Sequence, residues 1–122
     1  MSTMRTLQRL IFHWAQNTFG KVAANPVERA IRLVEESIEC AQATDASADV
    51  LHKIIDRVYS RPVGKIGQEI GGTALCLMSL AESLGYDVEA EIDREVTRIV
   101  SISIEELRKK HQDKVAVGTS IG

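Results

Sequence analysis

The sequence predicts an all-α protein built as a bundle of four or five helices. Three observations carry that prediction. Apolar residues recur at helical spacing along nearly the whole chain, and no region alternates with period two over a useful length. Helix start and stop signals separate the periodic segments. A chain of 122 residues fits one domain and can bury a single modest core. At 44% hydrophobic and 4% aromatic, that core must be mostly aliphatic.

The first helix is written by Leu7, Leu10, Ile11, Trp14 and Ala15 at i, i+3, i+4 and i+7 spacing, with Gly20 as its stop. The second starts clearly: Asn25 is a good N-cap, Pro26 suits the first helical position, and Glu28 places an acid near the unpaired N–H groups. It should run to about Ala43. "TDAS" supplies capping residues for a third helix, whose apolar side is Val50, Leu51, Ile54, Ile55 and Val58. Arg61-Pro62 ends it, because the residue before a proline is pushed out of helical geometry. A fourth helix runs from about Lys65 to Leu84, with Gly85 placed to accept a left-handed conformation after its last turn. Asp87 caps a fifth, through about Val100, and Ser103 and Glu106 have capping-box spacing for a last, short one. The domain is expected to span residues 1–110, leaving 111–122 as a flexible tail that closes on "VAVGTSIG".

Composition excludes several function classes. Formal net charge is −2, from 15 Lys and Arg against 17 Asp and Glu, and no basic stripe stands out. Nucleic-acid binding through many phosphate contacts is therefore not expected. No stretch approaches the roughly 20 apolar residues of a membrane span, and "MSTMRTLQRL" lacks the apolar run of a secretory signal. Cys40 and Cys76 lie far apart within apolar helical patterns, so buried thiols in a reducing, cytoplasmic setting are expected rather than a disulfide or zinc site. His13, His52 and His111 have no metal-ligand spacing with one another, and no ExxH pair of the di-iron bundle type is present.

The second helix carries the chemistry worth following. In "RAIRLVEESIECAQA", Glu35 and Glu39 lie about 40° apart on the helix surface and Glu36 about 60° from Glu39, so all three share one sector. Like charges so placed repel by roughly 0.2–0.5 kcal/mol per exposed pair. They form either a solvated rim or the oxygen ligands of a cation such as Mg²⁺, which keeps waters and is often completed by substrate phosphates. On the fourth helix Glu69 lies beside the stripe Ile66, Ile70, Thr73, Leu77, Leu80 and Leu84, where an unpaired carboxylate would need a partner. Gly67, Gly71 and Gly72 surround it, and three helical glycines cost about 1 kcal/mol each relative to alanine, which points to the close approach of a facing helix or a ligand.

Glu35-Glu36-x-x-Glu39 on one helix, followed by Glu69-x-x on a later one, resembles the EExxE…ExxD signature of the MazG-like all-α NTP pyrophosphohydrolases. "ERAIRLVEESIECAQA", "VYSRPVGKIGQEIGGTALCLMSLAESLG" and "IEELRKKHQDK" extend the resemblance over most of the chain, towards a subgroup of small bacterial and phage proteins. It implies a MazG-type helical fold and hydrolysis of an NTP or dNTP to the monophosphate and pyrophosphate, with Mg²⁺ (or Mn²⁺) as cofactor. It further implies Glu35, Glu36, Glu39 and Glu69 as metal ligands, with Glu36 and Glu69 acting catalytically through metal and water positioning. The signature's last Asp corresponds to Gly72 here, so one oxygen ligand is missing and a metal-binding protein without turnover is an alternative; Asp56 on the third helix is a possible substitute. For substrate binding the candidates are Trp14, which could stack on a base, and Lys53, Arg57 and Arg61, which could reach phosphates. Self-association is expected, because so many aliphatic faces on short helices exceed what one chain can cover, and the resemblance implies a dimer or tetramer. A purely structural oligomerisation module with a glutamate rim is the remaining alternative.

Overall fold

The computed structural model describes residues 3–122. Among the described residues the chain is all-helical, with six α-helices and no strand: α1 Thr3–Phe19, α2 Pro26–Ala43, α3 Ala48–Tyr59, α4 Ile66–Leu84, α5 Val88–Val100 and α6 Ile104–Ala116. A 3-10 turn, Gly20–Ala24, links α1 to α2. The count exceeds the expected four or five because the segment opened by Ser103 is a full helix of 13 residues, as long as α5. It continues past residue 111, so the segment assigned to a flexible tail includes the last helical turns of α6.

Local chemistry explains the boundaries. Asn25 Oδ1 accepts from the backbone N–H groups of Val27 and Glu28, at 2.9 and 3.4 Å, with Pro26 in the first turn where no N–H is needed. Asp87 accepts from Ala90 N–H at 3.1 Å and Ser103 from Glu106 N–H at 3.1 Å. Gly85, at φ +77°, ends α4 in the left-handed region, and Tyr86 N–H donates back to Ala81 at 2.9 Å. Asp45 does the same for α2 at φ +72°, with Ala46 N–H donating to Ala41 at 2.9 Å. Two of the residues expected to cap α3, Thr44 and Asp45, thus close α2 instead.

The chain divides into two units. One comprises the described part of residues 1–48 together with Ile102–Gly122, and so holds α1, the 3-10 turn, α2 and α6. Here the 3-10 turn packs on α1 and α2, and α6 packs on α1. Ala15, Thr18, Ala23 and Glu28 are buried. Trp14 meets Phe19 edge-on with ring centres 6.0 Å apart, and Phe19 meets the His111 ring at 5.7 Å. Arg108 Nε donates to the carbonyl of Thr18 at 2.8 Å, a cation placed on the unsatisfied C-terminal end of α1.

The other unit, Asp49–Ser101, contains most of α3 and all of α4 and α5. None of these helices has a buried residue. The apolar side of α3 (Val50, Ile54, Ile55, Val58) is 45–50% exposed, and on α4 Ile66, Ile70, Leu77 and Leu84 are all exposed. Cys76 in this unit and Cys40 on α2 in the first are both exposed, contrary to their expected burial: helical spacing marks an apolar face without supplying what packs on it.

Replacing Asn25 by Ala removes the acceptor for two N–H groups at the start of α2. We expect a loss of about 1 kcal/mol in urea unfolding, within the 0.5–2 kcal/mol range of such caps, with no change in helix content at 25 °C.

Candidate functional site

The three clustered carboxylates of α2 stand in different surroundings. Glu35 is half-buried and ion-paired twice: its Oε1 lies 3.2 Å from Arg32 Nη1, one turn earlier, and 2.8 Å from Lys114 Nζ on α6. Glu36 and Glu39 are exposed. The acidic sector predicted from helical spacing is present, and its first member is engaged by the protein's own cations.

A carboxylate the sequence did not single out for this role lies one turn before Arg32. Glu28 is fully buried. Its two oxygens accept from the Ser120 hydroxyl at 2.9 Å each, and Oε2 accepts from Ile121 N–H at 2.9 Å. Arg32 Nε is 3.2 Å and Arg29 Nη2 3.8 Å from Oε1. Since Ser120 gives its only proton to Glu28, the 3.3 Å contact between Ser120 Oγ and His111 Nδ1 requires the imidazole nitrogen to donate. Arg32 Nη2 also donates to the carbonyl of Thr119. Burial alone raises the Glu28 pKa. The Ile121 N–H, the Ser120 hydroxyl and the charges of Arg32 and His111 outweigh burial and hold it below its ordinary value of 4.5.

Glu69 belongs to the other unit, in the first turn of α4. It is exposed rather than set against a covered stripe. Its carboxylate folds back over Gly64: a Cβ there would lie 2.5 Å from Glu69 Oε1. By contrast, a Cβ on Gly67, Gly71 or Gly72 would meet nothing within 4 Å, so the close approach expected at those glycines falls at Gly64. Glu69 lines a cleft of about 620 Å³ with Val58, Tyr59, Arg61, Pro62, Val63 and Gly64. Arg61 is thus the substrate candidate that shares a surface with Glu69; Tyr59, which the sequence reading passed over, supplies the cleft's aromatic ring. Lys53 pairs with Asp49 at 3.2 Å on the exposed side of α3, and Asp56 and Arg57 are exposed. Trp14 is partly buried against Phe19 in the first unit. His13 and His52 are exposed, while His111 serves the Glu28 cluster.

Among the described residues no three of His, Cys, Asp and Glu gather closely enough to hold a metal ion. With one oxygen of Glu35 already shared between two cations, the described carboxylates of α2 do not by themselves make a site for Mg²⁺. Nor is any described helix long and apolar enough to cross a membrane. No family model, curated protein or solved structure matches the chain.

A carboxyl whose pKa is lower in the folded than in the unfolded state contributes its full stabilisation above the unfolded value and loses it as pH falls through the folded one. The Glu28 cluster should therefore hold residues 119–121 at neutral pH and release them only below about pH 4.5. Amide exchange at Ile121, followed by NMR from pH 7 to pH 3 and corrected for intrinsic rates, checks this; protection that vanishes already between pH 7 and 5.5 would contradict it.

Proposed function

We propose that the chain is the subunit of a self-associating nucleotide pyrophosphohydrolase with a MazG-like helical bundle, cleaving an NTP or dNTP to the monophosphate and pyrophosphate with Mg²⁺ or Mn²⁺ as cofactor. The observation that carries this is the EExxE spacing on α2, with Glu36 and Glu39 open to solvent, followed on a later helix by the exposed Glu69 at the edge of the Arg61 cleft. Because the described carboxylates of α2 do not by themselves make a cation site, this reading has association with further copies bring additional ligands to α2.

Self-association has its own support. In the second unit no residue of α3, α4 or α5 is buried, and the aliphatic residues Val50, Ile54, Ile55 and Val58 of α3 and Ile66, Ile70, Leu77 and Leu84 of α4 are exposed. At about 25 cal/mol per Å², leaving these faces wet would forfeit the main driving force for folding that half of the chain. A dimer or tetramer covers them.

A second reading has a specific observation in its favour. Glu69 is exposed, as expected of a helical oligomerisation module whose glutamates form a solvated rim.

Purified protein with Mg²⁺ should release pyrophosphate from at least one member of a broad NTP and dNTP panel, and Glu36→Gln or Glu69→Gln should lower the rate by roughly 10²-fold or more. Inertness towards the whole panel overturns the enzyme reading. If Gly72→Asp, which meets open space around its Cβ, then restores cleavage, the natural protein is a nucleotide- and metal-binding scaffold without turnover; if it does not, the module remains.

Light scattering should give a mass at least twice the 13.5 kDa of one chain, reduced by Ile54→Asp or Leu77→Asp. A folded monomer at micromolar concentration would rule out obligate association.

A further inference from the structure

We propose that Glu28, Arg32 and Glu35 form a latch that fastens residues 114–121 to α2, and that Glu35 serves this latch instead of joining Glu36 and Glu39 at a cation. The second half rests on the nucleotide-hydrolase reading of α2; the first stands without it. Glu28, Arg32 and Glu35 are spaced i, i+4, i+7, so their side chains rise along one face of α2. Each holds a different point of the C-terminal segment. Glu28 takes the Ser120 hydroxyl and the Ile121 N–H, Arg32 the Thr119 carbonyl, and Glu35 the Lys114 ammonium. Arg32 also ties the row together by reaching both acids.

The geometry distinguishes this row from an incidental surface contact. Glu28 is fully buried, and a buried carboxylate persists only with charge-assisted hydrogen bonds that replace its water. Ser120 and Ile121 supply those bonds from 92 and 93 residues away, while His111 fixes Ser120 from behind. Thr119 N–H donates to the Lys114 carbonyl at 2.9 Å, which closes the segment into a turn that presents Ser120 and Ile121 together. At the other end of the row, Glu35 has both a Lys and an Arg on one oxygen. A divalent cation recruiting Glu35 would have to displace Lys114 and pull on Arg32, and through Arg32 on Thr119. By reciprocity, a docked segment holds Glu35 away from a cation.

Two measurements on the full chain test the proposal together: amide exchange at Ile121 and Mn²⁺ affinity. Losing one charge-assisted bond at Glu28 (Glu28→Gln) should speed Ile121 exchange about tenfold or more. Glu35→Gln should speed it by a smaller factor, about two- to fivefold, because its link runs through Arg32 and Lys114. Ser120→Ala leaves α2 intact and should also speed it, which keeps the test decisive if Glu28→Gln fails to fold. Mn²⁺ affinity should stay within about twofold in Glu35→Gln and fall about tenfold or more in Glu36→Gln and Glu39→Gln. An unchanged Ile121 exchange in Ser120→Ala and Glu35→Gln overturns the latch. Mn²⁺ affinity lost equally in all three α2 variants returns Glu35 to the cation ligands and overturns the second half. If the wild-type chain binds no Mn²⁺, the hydrolase reading of α2 fails and the second half with it, while Ile121 exchange still decides the latch.

Discussion

A carboxylate sealed from water costs several kcal/mol unless hydrogen bonds and opposite charge take the water's place. Glu28 is fully buried, and the first unit is organised around meeting that demand. Asn25 sets the first turn of α2, which carries Glu28 inward; Arg29 and Arg32 bring positive charge from the same helix. Ser120 and Ile121 must then return to α2 to complete the shell, and His111 must sit on α6 where it can steady Ser120. The apolar contribution here is small, with Ala15 and Ala23 as its buried members, so polar complementarity specifies where α6 and the segment after it lie. Removing one partner leaves the fully buried Glu28 with fewer bonds in place of its water, which is why such a cluster acts as a unit.

The second unit lacks a comparable centre. Its helices are well terminated: Gly85 and Asp87 make a tight link between α4 and α5, and Glu95 holds Arg98 through two bonds of 2.7 Å. Yet exposed ion pairs contribute little, about 0–1 kcal/mol each, and short isolated helices are marginal in water. What can stabilise α3 and α4 is burial of Ile54, Ile55, Ile70 and Leu77, and that burial is missing from the single chain. The two halves therefore depend on different physics: one closes on an internal polar cluster, the other needs apolar cover.

That contrast explains which features were legible in the sequence. The caps at Asn25, Asp87 and Ser103 and the stop at Gly85 are local chemistry, decided within four residues, and they were readable directly. The EExxE sector was readable for the same reason, since helical geometry fixes the relative direction of Glu35, Glu36 and Glu39. What sequence periodicity could not supply was the partner of each side chain. It marked Glu28 as a first-turn acid suited to the helix dipole, whereas its burial is decided by Ser120 and Ile121 at the far end of the chain. It read an apolar stripe on α4 as core, although an apolar stripe states only that cover is needed, not which chain supplies it. Gly64 gave a faint signal, standing after Pro62 and five residues before Glu69, but nothing in spacing alone says that a carboxylate folds back onto it.

The same distinction bears on the acidic cluster. Three glutamates with identical charge, spread over one sector of about 100° on α2, are not chemically equivalent once α6 is in place. Lys114 reaches Glu35, and Arg32 is oriented by Glu28 and Thr119 so that a second guanidinium nitrogen faces the same oxygen. The repulsion expected among the acids is thereby relieved at Glu35 without an added cation.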